Sequence, residues 1–151
     1  MTESIYEHAG AADALRRLMG VFYAKVRADP LLEPLFGGMS PDHPDHVAAW
    51  LGEVFGGPAT YSETRGGYPA MVLAHINRDI SEAQRVRWVE LLYASLDDAE
   101  MPTDEPFRRT LKAYVEWGTR IARRNSQIGF TPPREAHVPL WDWVPERPSS
   151  G

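Results

Sequence analysis

Apolar side chains recur at helical spacing along most of this chain, and that pattern more than any other limits the folds open to it. In "AADALRRLMGVFYAKVRA", residues 11–28, Leu15, Leu18, Met19, Phe22, Tyr23 and Val26 fall on one face of a helix with a period of about 3.6 residues. A longer stretch, "TDEPFRRTLKAYVEWGTRIARRN", keeps Phe107, Leu111, Tyr114, Val115, Gly118, Ile121 and Ala122 at the same spacing. No segment alternates convincingly enough for a sheet. The expected class is all-α.

Local signals place the ends of these helices. Asp29-Pro30 stops the first, because the residue before a proline avoids the helical region. "PLLEPLF" reads as a turn or a single-turn helix. "PDHPDHVAAWLGEVF" reads as another helix, with Pro44 in its first turn, Asp42 as a candidate cap, and a stripe of Val47, Trp50, Leu51 and Val54. His43 lies one turn before Val47 on the same side. Gly56-Gly57-Pro58 ends this helix, and a polar loop is expected through Gly66-Gly67. Ser81, with Gln84 three residues on, is a capping-box pattern that opens "SEAQRVRWVELLYASLDD". There Trp88, Leu91, Leu92 and Ser95 share a side, and Val86, Val89 and Tyr93 are expected to widen the buried surface. Asp104 and Glu105 suit the positive end of the longest helix, and Arg123 and Arg124 its negative end.

From Ser126 the composition changes, with five prolines in 26 residues. Residues 1–125 are expected to form the domain and residues 126–151 an irregular extension rich in proline and tryptophan. Phe130, Trp141 and Trp143 make docking of this tail onto the helices or a partner the natural expectation.

Composition removes several functions. With no cysteine, thiolate metal sites, iron–sulfur clusters, disulfides and cysteine nucleophiles are excluded. A net charge of −5 with no basic stripe argues against nucleic acid. No apolar run approaches the roughly 18 residues of a membrane span. The first residues lack the apolar core of a signal peptide, so a cytoplasmic protein is expected.

The segment "YPAMVLAHINRD" poses the chemical question. His75 follows a run of apolar residues, and on spacing alone a hydrogen-bonded core histidine and a metal ligand both remain open.

Four features together resemble the truncated haemoglobins of group II, over most of residues 5–124. They are Phe22-Tyr23 in the first helix followed by "ADPLLEPLF" with Phe36, the run "FGGPATYSETRG", Pro69 six residues before His75, and Trp88 thirteen residues after it. The resemblance implies two helices packed across two others around haem b, iron protoporphyrin IX, with His75 as iron ligand. It places Met71, Val72 and Ile76 against the porphyrin, and a backbone carbonyl one turn back would fix the imidazole tautomer. On the opposite face it implies Tyr23 and Trp88 as donors to a bound diatomic, with Phe36 against the porphyrin. Counting back from Gly56 puts His43 at the distal histidine position and Val47 a turn later, with His46 as competitor. Trp50 and Leu51 would close the pocket.

This chain departs from the pattern in places. Many relatives carry tyrosine where Phe36 stands. Val72 and Ala74 occupy places often polar in group II, and Arg78 stands where an aromatic is common. "RGGYP" is one residue longer than the usual turn. Arg78, Arg65, Tyr61 and Tyr68 are therefore all open as haem propionate contacts. His8 and His137 match nothing in the pattern and read as surface or tail histidines.

The resemblance implies reversible binding of dioxygen, carbon monoxide, nitric oxide or similar ligands. Several donors around one ligand slow its escape, since each charge-assisted bond adds roughly 1.5–3 kcal/mol. Slow release suits an enzyme better than a carrier, which keeps open nitric oxide dioxygenation or peroxide chemistry with an external reductase. A sensing or interaction module is the third reading, motivated by the tail, and a homodimer is a further open possibility.

Overall fold

A computed structural model describes residues 3–64, 66–75, 78–129 and 138–145, without the side chains of Tyr68, Pro69, Val72 and Leu73. The expected roles of Arg65, Ile76, Phe130 and His137, and of the Tyr68 and Val72 side chains, lie outside the described residues.

Helices α1 (Ile5–Ala9), α2 (Ala11–Ala28), α3 (Glu33–Phe36), α4 (His43–Val54), α5 (Thr60–Thr64), α6 (Gly67–His75), α7 (Glu82–Asp98) and α8 (Glu105–Ser126) make up the regular structure of the described residues, which include no strand. The chain is all-α, as the periodicity predicts. Helix α2 packs on α4 and on α7, α7 on α8, and α6 on α8, so two helix pairs cross around one core. That is the two-over-two arrangement the resemblance implies.

The apolar stripe of α2 is the centre of that core. Leu18, Met19, Phe22 and Val26 are at most 1% exposed. Residue 29 leaves the helical region at φ −90° and ψ 120°, and α2 ends ahead of Pro30. The capping box at Ser81 forms in full: the Ser81 hydroxyl accepts from Gln84 N, and Gln84 returns a bond to Ser81 N. Asp104 caps α8 by accepting from Phe107 N at 3.0 Å. Asp42 stands at the head of α4, but its side chain makes no capping bond.

Two expectations need correction. The stretch before Gly66 contains a helical turn, α5, whose one buried side chain is Tyr61. Val86 is 40% exposed instead of widening the core. Helix α7 meets α2 and α8 through Arg85, Val89, Leu92 and Leu96, and Val86 falls outside that stripe. Arg85, only 8% exposed, reaches Glu116 and Thr119 across the α7–α8 seam and Glu82 on its own helix.

The turn after α4 depends on glycine. Gly57 donates to Gly52 O at 2.8 Å, and a Cβ there would lie 2.7 Å from the Tyr6 ring and 2.8 Å from the Gly52 carbonyl. Residues 138–145 run back over this region. Trp141 N donates to Val54 O at 2.8 Å, Trp143 Nε1 to Glu3 O at 2.9 Å, and Val144 N to Thr110 Oγ1 at 3.0 Å. The Trp143 ring meets His8 edge-on at 5.1 Å.

Candidate functional site

His75 closes α6. Its Nδ1 lies 2.8 Å from Met71 O, one turn back, an acceptor that holds the proton on Nδ1. Nε2 then presents its lone pair, with no partner among the described residues. Burial pushes the ring below the ordinary histidine value, against the opposing pull of the Met71 carbonyl, and the neutral form is favoured. Met71 itself packs against the core. A neutral, partly buried imidazole with a backbone-fixed tautomer is the donor that haem iron takes, so the residues present fit such a group.

The second half of the site comes from α2, α3, α4 and α7. Tyr23 sits on the buried face of α2 and is 2% exposed. Its hydroxyl lies 3.1 Å from His43 Nε2, from the first residue of α4. The two rings meet edge-on at 5.0 Å. Phe36, ending α3, leans on both, 5.8 Å from Tyr23 and 5.9 Å from His43. Phe22 stands edge-on to Tyr23 and to Trp88, each at 4.7 Å, and so wedges the Trp88 indole beside them. Burial raises the Tyr23 hydroxyl far above the ordinary tyrosine value, against an opposing effect of the neighbouring Trp88, and keeps it neutral. Burial, assisted by the neighbouring His46 and His75 and by the guanidinium charges of Arg78 and Arg27, lowers His43 to about 4. The polar cluster is therefore uncharged near neutral pH, and each group keeps its hydrogen-bonding capacity.

Other sequence-predicted residues distribute as follows. Val47 lies one turn along α4 from His43 and is partly buried against the core. Leu51 is 4% exposed. Trp50, 7% exposed, donates from Nε1 to the Tyr114 hydroxyl on α8 at 2.8 Å and meets Tyr61 edge-on at 5.2 Å. Tyr61 is thus a core ring, 6% exposed. Arg78 is exposed just beyond α6, with Nε donating to Ala74 O at 2.8 Å. The α6–α7 connection is held by α8: Asp79 N donates to Ser126 O at 2.7 Å and Ile80 N to Ser126 Oγ at 3.0 Å.

His8 carries a function in the fold that sequence reasoning missed. Its Nδ1 and Nε2 each lie 2.7 Å from a carboxylate, Glu3 and Asp104 respectively. Only the first partner is close in sequence, so nothing local announces the pair.

Helices crossed in this manner, with a lone-pair imidazole closing α6 and a tyrosine–histidine pair joining α2 to α4, define a globin. The sequence profile of the family described as bacterial-like globin matches residues 4–114. The chain belongs to the bacterial-like globin family, within its truncated haemoglobins. It is similar to the haemoglobin of the thermophilic phototroph Chloroflexus aurantiacus, with 35% identity, a TM-score of 0.71, and coverage of 80% of this chain and 98% of that one. It is 27% identical over 92 residues to the group 2 truncated haemoglobin of Bacillus subtilis, covering 61% of this chain and 68% of the relative. The group 1 truncated haemoglobin of a Nostoc species is 30% identical over 67 residues, 44% of this chain. That match spans about half of the Nostoc protein, 53% of its length. Globin membership implies a haem cofactor and the capacity to bind small gaseous ligands such as oxygen.

Proposed function

We propose that this chain binds haem b through His75 and holds dioxygen, or a related diatomic, against Tyr23, Trp88 and His43. The observation that carries this reading is the pairing of opposites. One imidazole, His75, offers an unprotonated ring nitrogen at the end of α6, while a separate neutral cluster offers hydroxyl, indole and imidazole hydrogens. When bound, the haem would supply an iron able to take up a diatomic ligand. Tyr23 donates its hydroxyl hydrogen, and Trp88 can only donate. His43 either accepts from Tyr23 or, in the other tautomer, donates, so its proton position sets how freely the hydroxyl turns to the ligand. Phe36, Val47, Leu51 and Met71 exclude water, which strengthens each of these bonds. Arg78, exposed at the end of α6, is proposed as the propionate partner. Trp50 and Tyr61 brace the pocket from the core.

The absorption spectrum of purified protein tests this, with and without carbon monoxide and dithionite. A haem band that shifts with carbon monoxide is expected; a chain that takes up no haemin would overturn the reading.

The number of donors gathered around Tyr23 favours a second reading, catalysis on slowly released ligand with nitric oxide or peroxide as co-substrate. Stopped-flow mixing of the oxygenated protein with nitric oxide, under continuous reduction, distinguishes the two. Repeated nitrate formation supports an enzyme, and one slow oxidation without turnover supports a binding protein.

A further inference from the structure

We propose that Ser126 and Gln127, where α8 ends, are positioning residues for His75: they fix the chain that leaves α6, and so the direction in which the imidazole presents Nε2. This rests on the haem reading above and names what tunes its axial bond.

The imidazole is held at two levels. Met71 O, one turn before it, sets how the ring is turned, through the 2.8 Å contact with Nδ1. The helix end that carries the ring needs a second hold, because His75 is the last residue of α6 and the final carbonyls of a helix have no partner within it. Arg78 begins that hold. Its backbone N donates to His75 O at 3.3 Å and its Nε to Ala74 O at 2.8 Å, so the chain stays folded against the end of α6. Asp79 then adopts a left-handed φ of 51°. Such a residue turns successive N–H groups to one side, and here both find the same partner. Asp79 N donates to Ser126 O at 2.7 Å, and Ile80 N to Ser126 Oγ at 3.0 Å. The Gln127 amide completes the clamp by donating to Ile80 O at 3.0 Å.

The receiving end is itself fixed. Ser126 is fully buried, and its hydroxyl donates to Arg123 O at 2.6 Å, which leaves the oxygen's lone pairs for Ile80 N. Ser126 O is one of the last carbonyls of α8, which no later turn of that helix can satisfy, and Asp79 takes it. Gln127 Nε2 also donates to Arg123 O at 2.7 Å. Two consecutive residues, 79 and 80, are thus tied by three bonds to a helix of 22 residues whose other end is capped by Asp104. Arg78 joins that clamp to the carbonyl of the proposed iron ligand. Groups that orient a metal ligand without touching the metal set how squarely it donates, and so tune the metal.

Resonance Raman spectra of the haem-loaded, ferrous, ligand-free protein read the iron–histidine stretch and test this. Ser126→Ala and Gln127→Leu should each shift and broaden that band, because the ring samples more orientations. Gln127 is only half-buried, so its variant carries the test should Ser126→Ala fail to fold. Gly57→Ala, which strains the turn after α4 instead, should leave the band as in the parent. His75→Gly loaded with haem and free imidazole bypasses the clamp, since its axial ring is no longer joined to the chain. Adding Ser126→Ala in that background should leave the band unmoved. A parent that takes up no haemin, or whose band survives in His75→Gly without imidazole, overturns the haem reading and this inference with it. A haem-loaded parent whose band is indifferent to both clamp variants overturns the inference alone, as does a band that Ser126→Ala moves equally in the imidazole-rescued background.

Discussion

The Tyr23 hydroxyl and His43 Nε2 lie 3.1 Å apart, joining the middle of α2 to the first residue of α4. Removing the hydroxyl leaves the packing of the ring intact and takes away one donor. Tyr23→Phe is expected to speed dioxygen release by about tenfold or more, since a charge-assisted bond contributes roughly 1.5–3 kcal/mol and about 1.4 kcal/mol is a factor of ten. Stopped-flow displacement of dioxygen by carbon monoxide measures this. An unchanged release rate removes Tyr23 from the ligand site.

His75→Gly should retain little haem, and its spectrum should recover on addition of free imidazole, which fits the space left by the side chain. Met71 O remains to orient the added ring, because its 2.8 Å bond comes from backbone. A variant that keeps the parent spectrum without imidazole assigns the iron to another residue.

Stability should depend on pH through His8. Hydrogen bonds to Asp104 and then Glu3 raise its folded-state value above 6.5, against the opposing effect of burial. The protonated form is thus favoured by folding, and its contribution is complete below the unfolded value. It fades as pH rises through the higher folded value. Urea midpoints compared at pH 6 and at pH 8.5 should differ more for the parent than for His8→Gln. Equal pH dependence in the two proteins contradicts the assignment.

Two glycines should respond oppositely to alanine. A Cβ at Gly20 meets nothing within 4 Å, and the residue is an exposed position inside α2. Gly20→Ala is expected to stabilise by about 0.5–1 kcal/mol. At Gly57 the new carbon would press on Tyr6 and on the Gly52 carbonyl, so Gly57→Ala should cost about 1–3 kcal/mol. Thermal or chemical denaturation of both variants reads the signs directly.

Much of this was legible in the sequence, for local reasons. Helix α2 spans Ala11–Ala28, the stretch its period marks, because eighteen residues carry five turns of repeating apolar side chains. The Ser81–Gln84 box was legible because every atom of it lies within one turn. Helices α1 and α5, at five residues each, are too short to show a period. Burial on α7 was only partly legible, since period gives a face but not its width. Arg85 lies inside because Glu116 meets it from another helix, and Val86 outside because nothing covers it. Tyr23 and His43 are twenty residues apart, and only the resemblance brought them into one site. The His8–Asp104 contact, spanning 96 residues, had no signal at all.

The last carbonyl of α4, on Val54, takes its hydrogen from the amide of Trp141. A ribosome delivers that amide 87 residues after the carbonyl it satisfies. The helix that begins at His43 therefore emerges early and is completed late. During synthesis it waits with an open end until the tail arrives, and only then is the fold sealed.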